Sequence, residues 1–477
     1  MLTHDVPDPV FRSFRDPAGN LIRHRGRILR TVRPEAVPDL EAFLSTPVAR
    51  NAMDQGKIVP SVRIPSSAVP NVSEFSGANY VVEHEPIPFP SYPFEWPAEM
   101  LFSAGALTIE LAQAVLDEGF GLKDATPYNV LFRGSQPVFV DILSFEQRHP
   151  LDRSWMAYAQ FTQTFVLPLM ANRHFGLSMA SLFTGSREGI DPETMYRLAG
   201  PIRRLKPGFL SLVSLPKWLE GKADDASFYS PKPASSPDQA NFIVKGLLRS
   251  CEKRIAATKP AHADSRWSQY LDQKSLYTPA QLARKEAFVS EAMAIAGPKT
   301  VLDVGANEGH FSFLAARQGA SVVAIDSDPV VAGAIWRRAS TGRLDVLPLV
   351  VDLTRPTPAI GWRNQECLSF LDRAAGHFDM LMMLAVLHHM LVTERIPLED
   401  SLALAADLTR DYALIEFVAP EDPMFQRIVR GRQKLYSHLT QTRFEAAAAP
   451  HFELVRSLRI DGLHRWLYLF RRRHAAS

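Results

Sequence analysis

Cysteine is nearly absent from this chain: among its 477 residues only Cys251 and Cys367 carry thiols. Two distant cysteines exclude a disulfide framework, and neither stands in a metal-ligand spacing, so no metal centre is expected. A reducing, cytoplasmic setting follows. Long apolar runs are missing as well. The longest, Phe165 to Ala171 and Met380 to Leu387, fall far short of the roughly 20 residues that span a bilayer. Met1 to Phe14 offers acids and prolines where a signal peptide needs an apolar stretch, so neither export nor a membrane span is expected. Charge of one sign is also lacking. A net charge of +2 is too small to attract a nucleic acid through bulk electrostatics. The basic clusters Arg23 to Arg33 and Arg471 to Arg473 read as solvated surface.

An apolar fraction of 46% and a charged fraction of 22% describe an ordinary globular protein. The length exceeds what one hydrophobic core sustains, which predicts two or three domains. Up to about residue 100 the chain is proline-rich, with strand-like pieces at Gly26 to Val32 and Asn79 to Glu83. Prolines from Pro86 to Pro97 precede an apolar helical stretch, Ala98 to Glu118, and strands at Val130 to Phe132 and Pro137 to Ile142. Residues 153 to 215 read as helices. The PKPASSPD stretch marks a linker over residues 222–240, between domains at 1–221 and 241–477. No repeat is visible.

Beyond Asn241 helices alternate with short apolar strands: Thr300 to Val304, Ser321 to Asp326, Asp345 to Val351, Phe378 to Leu384 and Tyr412 to Phe417. This alternation predicts βαβ units and a mostly parallel sheet, an α/β fold. A final pair, Phe452 to Leu458 and His464 to Phe470, fits an antiparallel edge.

The segment TVLDVGANEGHF, Thr300 to Phe311, runs a buried strand into Gly305 and opens a helix near Gly309. Glycines there let the backbone approach a ligand, and the helix start presents unpaired N–H groups. A dinucleotide would need G-x-G-x-x-G, but Asn307 and His310 occupy the second and third glycine positions. Asp303, two residues before Gly305, repels a pyrophosphate and attracts an ammonium. Asp326 closes the second strand, where it can accept both ribose hydroxyls. Asp352 closes the third, where an adenine amino group can donate to it. Three acids at successive strand ends, in register with a glycine loop, favour a cationic nucleoside over a dinucleotide.

Residues 265–472 thus resemble a class I methyltransferase domain with a Rossmann-like sheet. The resemblance implies S-adenosyl-L-methionine as cofactor. Its methionine end would be held by Asp303, Gly305, Asn307 and Gly309, its ribose by Asp326 and its adenine by Asp352. Many members have glycine where this chain has Asn307. Upstream, Trp267, Tyr270 and Tyr277 precede a helix, Pro279 to Ala296; such a leading helix often covers the cofactor, and core packing explains the aromatics equally well. Methyl transfer needs an aligned nucleophile and a base for its proton. His388 and His389, after the fourth strand, and Glu416, ending the fifth, are the candidates.

A second resemblance lies in the N-terminal half. Asp124, Asn129 five residues later, and Asp141 after a strand pair keep the spacing of the catalytic segment of protein kinases and aminoglycoside phosphotransferases. It implies an α+β kinase-like domain with a vestigial nucleotide and metal site. No glycine-rich phosphate loop precedes it, and the nearest lysine and glutamate, Lys57 and Glu41, come in the wrong order. Ile142 and Leu143 stand where kinases have Phe-Gly. The expectation is therefore a degenerate scaffold beside a methyltransferase whose acceptor is a glycan or small metabolite. A phosphotransferase with a regulatory S-adenosylmethionine-binding domain, and a non-catalytic S-adenosylmethionine sensor, are the alternatives.

Overall fold

The computed structural model describes residues 11–12, 15–219, 233–261 and 277–474. Contacts divide the chain into two units, one of residues 1–94, 98–133 and 137–261, the other of residues 95–97, 134–136 and 262–477.

The first unit opens with an antiparallel sheet of β1 (Phe11–Arg12), β2 (Gly19–His24), β3 (Arg27–Val32), β4 (Ser61–Arg63) and β5 (Val81–His84), in the order β1-β2-β3-β5-β4. Arg25 and Gly26 join β2 to β3 with φ of 49° and 76°; such left-handed residues match the twist of a two-residue hairpin. Ile22, Leu29 and Val81 pack one face against Ile64 and Phe75. The predicted helix forms at Ala98–Leu116. It is long and apolar enough to cross a membrane by length and composition, yet 67% of that stretch is buried inside the protein.

The helix Pro237–Ala257 belongs with this first unit, so the division falls later than the expected start at residue 241. Its stripe Ala240, Val244, Leu248, Cys251 and Ile255 is buried. Gly105 admits it closely: a Cβ there would stand 2.3 Å from Ile255 Cδ1. Of the expected linker, residues 220–232 lie outside those described. Further along the unit, β6 (Phe120–Leu122) pairs with β9 (Phe145–Gln147), and β7 (Val130–Arg133) with β8 (Gln136–Phe139).

The second unit is built on a seven-stranded mixed sheet: β10 (Thr300–Val304), β11 (Ser321–Asp326), β12 (Val346–Val350), β13 (Phe378–Met383), β14 (Thr409–Val418), β15 (Phe452–Arg459) and β16 (Arg465–Arg472). The order is β12-β11-β10-β13-β14-β16-β15, parallel through β14 and antiparallel for β16 and β15. Strands β10, β11 and β13 are apolar and almost wholly buried, as parallel strands covered on both faces must be. From β10 the chain passes first to one side, through β11 and β12, and then to the other, through β13 and β14. That reversal places a topological switch point between the carboxyl ends of β10 and β13, where ligands bind in such sheets.

Candidate active site

The loop after β10 is shaped by three consecutive demands. Gly305 and Asn307 have φ of 66° and 50°, and Gly309, which precedes the helix His310–Arg317, has φ of 79°. Only glycine, and less readily asparagine, adopts this region without strain. The glycines also answer to packing within the protein. A Cβ on Gly305 would lie 2.5 Å from Val386 Cγ2, and one on Gly309 would lie 3.0 Å from Ile335 and Phe313. Among the described residues no side chain caps the helix His310–Arg317, which leaves its first N–H groups available to an anion.

Asp303 is buried in β10 at 3% exposure. Ser312 Oγ donates to its Oδ2 at 2.5 Å. Burial, with the neighbouring Asp326 carboxylate, pushes its pKa up to about 7. Among the described residues no cation forms an ion pair with it. Asp326 ties the loop together: its Oδ2 accepts the Asn307 N–H at 2.9 Å and its Oδ1 accepts the Asp328 N–H at 2.9 Å. Burial raises its pKa too. The Ser327 backbone N–H also donates to it, and a carboxylate with about four acceptor sites then keeps room for a further donor. Asp352 serves its own turn. Its Oδ1 accepts from Thr354 N and Oγ1 at 3.0 and 2.5 Å, and its Oδ2 pairs with Arg355 at 2.9 Å. Although burial opposes ionisation, these donors hold its pKa below the usual carboxylate range.

The loop after β13 carries a second strained position, Ala385, with φ of 57°. A non-glycine residue there costs energy that the surroundings must hold in place, and such positions concentrate at functional sites. The short helix Leu387–Val392 follows and divides the two histidines. His388 is buried, its Nδ1 without a hydrogen-bond partner among the described residues. Burial, then the charges of His389, Arg465 and Lys285, push its pKa well below the usual imidazole value, so it is neutral. His389 is half-buried, its ring centroid 4.3 Å from that of His388. Of the pair, His389 is the one with solvent access.

Glu416, in β14, is fully enclosed. Lys285 Nζ donates to it at 2.6 Å, Arg465 Nη1 at 3.4 Å, and the Tyr277 hydroxyl also donates to it. Arg465 reaches Asp422 with two bonds of 2.9 and 3.0 Å and Tyr277 with one of 2.6 Å. Two cations and two carboxylates thus balance around one phenol. Burial disfavours the Glu416 anion, but Lys285 and Arg465 more than compensate and its pKa is lowered. A carboxylate so neutralised is held too tightly to remove a substrate proton, and the geometry assigns Glu416 a structural place instead of the expected catalytic one. Lys285, Asp422 and Arg465 were not foreseen. Lys285 did leave a signal, since it stands on the stripe 285, 288, 289, 292, 293 whose other members are Phe288, Val289, Ala292 and Met293, all buried. A lysine in an apolar stripe calls for a buried anion. Trp267 and Tyr270 lie outside the described residues.

In the first unit the structure joins Asn129 to both of its predicted companions. Its Nδ2 donates to the Asp124 carbonyl at 3.5 Å and to Ser144 Oγ at 3.3 Å, and Ser144 donates to Asp141 Oδ2 at 2.5 Å. The other Asp141 oxygen accepts from Arg30 of β3 at 2.7 Å. Arg30 also reaches Asp16 at 3.0 Å. Lys57 pairs instead with Glu110 at 2.6 Å, and Glu41 with Arg63 at 3.4 Å. Asp124 is raised by burial and by Asp141.

Residues 276–473 match the family described as a methyltransferase domain. The second unit is a methyltransferase domain, and the chain is an S-adenosylmethionine-dependent methyltransferase with S-adenosylmethionine as cofactor. Over 98% of its length it is 29% identical to the nodulation protein NoeA of Rhizobium meliloti (strain 1021), covering 96% of that protein. Among solved structures it is similar to the N-methyltransferase NodS of Bradyrhizobium japonicum WM9 in complex with S-adenosyl-L-homocysteine. The identity is 14%, the coverage 44% of this chain and 94% of NodS, and the TM-score 0.32. The 1,6-didemethyltoxoflavin-N1-methyltransferase of Burkholderia thailandensis is 23% identical, with 43% and 84% of the chains covered and a TM-score of 0.31.

The residues present fit the cofactor. A buried carboxylate with no ion-pair partner among the described residues complements an ammonium, and a helix start that no described side chain caps, one loop away, complements a carboxylate. Those are the two charges of a methionine moiety.

Proposed function

We propose that the chain transfers the methyl group of S-adenosylmethionine to a hydroxyl or amine of a glycan or small metabolite. The observation that carries this reading is Asp303, a buried acid at the switch point with which no cation among the described residues forms an ion pair. In this reading Asp303 holds the methionine ammonium, and Gly305, Asn307 and Gly309 shape the loop that receives its carboxylate. Asp326 holds the ribose through the acceptor capacity its backbone donors leave. Asp352 flanks adenine through its fixed position, since its oxygens are already engaged. The bound cofactor supplies an electrophilic methyl group. The protein must then orient the acceptor and take up its proton. His389, half-buried beside a neutral His388, is the base we assign; His388 supports it from the interior.

The first unit is, in the same proposal, a degenerate kinase-like scaffold that serves acceptor recognition. The Arg30–Asp141 pair supports this, because a fixed guanidinium satisfies the carboxylate a magnesium ion would need. The reading is tested with methyl-labelled S-adenosylmethionine and a panel of oligosaccharides and small hydroxyl or amine metabolites. Label entering one of these is expected. Label entering only protein or nucleic acid overturns the acceptor class, and binding of NAD in place of S-adenosylhomocysteine overturns the cofactor assignment.

A further inference from the structure

The first unit carries, before its last helix, a run of short helical segments, the first three opened by proline: Pro192–Leu198, Pro201–Arg204, Pro207–Phe209, Leu210–Ser214 and Leu215–Leu219. One side of this run anchors it. Met195, Ala199, Phe209, Leu212 and Val213 are all buried. The other side turns large apolar groups to solvent. Ile202 is 81% exposed and Leu205 67%, with Trp218 and Leu219 at 50% and 54%. Leu198 and Leu215 are each 43% exposed. Exposed apolar residues elsewhere in the chain are mostly scattered singly or in pairs, which is normal for a surface; six within one short run are not.

The charge of the same run is one-sided. Between Glu193 and Glu220 the sequence holds five bases, Arg197, Arg203, Arg204, Lys206 and Lys217, and no acid, in a chain whose net charge is only +2. Glu193 pairs with Arg197 at 2.6 Å and with Lys217 at 3.2 Å, and Asp191 is spent capping the helix Pro192–Leu198. Among the described residues no carboxylate pairs with Arg203, Arg204 or Lys206. Their joint field is felt next door: burial lowers the pKa of His174, and Arg203, Arg173 and Lys206 lower it further. Trp218 meets Tyr196 edge-on at 6.5 Å, and Arg204 lies over the Tyr196 ring at 3.8 Å, so bases and aromatic groups share one patch.

Exposed Ile, Leu and Trp set among Arg203, Arg204 and Lys206, with which no described carboxylate pairs, form the composition of a surface that lies in a bilayer interface. The apolar groups enter the acyl boundary while the bases meet anionic headgroups. An acidic protein would answer the charge but leave Ile202 and Leu205 exposed to no purpose. We propose that the segment 194–219 docks the first unit onto an anionic lipid surface, as a peripheral contact with no membrane span.

Flotation of the full chain with vesicles decides this. Vesicles of equal parts phosphatidylcholine and phosphatidylglycerol are expected to carry the protein, vesicles of phosphatidylcholine alone are not, and raised salt should release it. Arg203→Ala and Lys206→Ala should each weaken binding about fivefold, the effect of one base at an anionic surface. The double variant Ile202→Glu, Leu205→Glu should abolish it while leaving S-adenosylhomocysteine binding intact, because both side chains are exposed and support no core. No capture by anionic vesicles, equal capture by neutral ones, or unaltered flotation of the Glu double variant overturns the proposal. Salt-sensitive binding to an acidic protein without flotation would also overturn it.

Discussion

Aspartates end up in opposite electrostatic states in the two units. Asp141 of the first unit accepts from Arg30 and from Ser144, so its charge is answered inside the protein. Asp303 of the second is more deeply placed, bonds to a hydroxyl and pairs with no cation among the described residues, and its pKa rises to about 7. The first arrangement is complete without a ligand. The second is incomplete, and an incomplete buried charge is a binding site for whatever supplies its counter-charge. The comparison separates a carboxylate that has become architecture from one that remains chemistry. Glu416 repeats the lesson within the second unit, where two cations close it off.

The largest effect is expected where closure is most complete. Glu416→Ala strands Lys285 in the interior, whereas Arg465 keeps Asp422, and urea unfolding should show a loss of about 3–5 kcal/mol. A loss below about 1 kcal/mol would mean that the network is not closed as described.

His389→Ala should lower methyl-transfer turnover about a hundredfold while S-adenosylhomocysteine affinity holds. His388→Ala should instead act through stability. Unchanged turnover in the His389 variant would return both histidines to a structural role. Asp326→Ala should weaken S-adenosylhomocysteine binding about tenfold, ~1.4 kcal/mol by calorimetry. Equal affinity would show that the carboxylate serves only the loop N–H groups it already holds.

Asp303 yields a pH prediction. Its folded pKa, about 7, lies above the ordinary value of 3.8, so between those two values the folded state holds more protons than the unfolded. The ligand-free protein should therefore lose stability as pH rises from about 4 to about 7, the full cost being present above that range. A cationic ligand favours the ionised acid, so cofactor binding near pH 6 should release a proton. Calorimetry in buffers of different ionisation enthalpy measures it, and Asp303→Asn should remove it. The smallest expected effect is none. Magnesium and ATP should produce no phosphate transfer, and ATP turnover lost in Asp124→Ala would show that the first unit is closed in appearance only.

Much of the second unit was readable from the sequence because parallel strands, buried on both faces, announce themselves as apolar runs. β10 and β11 occupy the expected spans, and the edge pair β15 and β16 starts within a residue of them. The first unit was less legible. Strands β1, β2, β4, β6 and β9 were not anticipated, since β1 has two residues, β4, β6 and β9 have three each, and β2 shows no clear alternation. The helix Pro237–Ala257 was grouped with the wrong neighbour because an amphipathic stripe says that a face is buried and not against what.

What the sequence by itself determined is the alternation of strand and helix, the glycine turn, and the acids at successive strand ends. Each rests on local rules: period, backbone freedom at Gly305 and Gly309, and the strand-to-helix junction. Only the tertiary structure decided which acids keep their charge open. Arg30 and Asp141 are far apart in sequence, as are Lys285 and Glu416, and whether a cation arrives depends on how distant segments pack. Coulomb energy in a buried place is set by a few ångströms, and sequence spacing does not encode that distance.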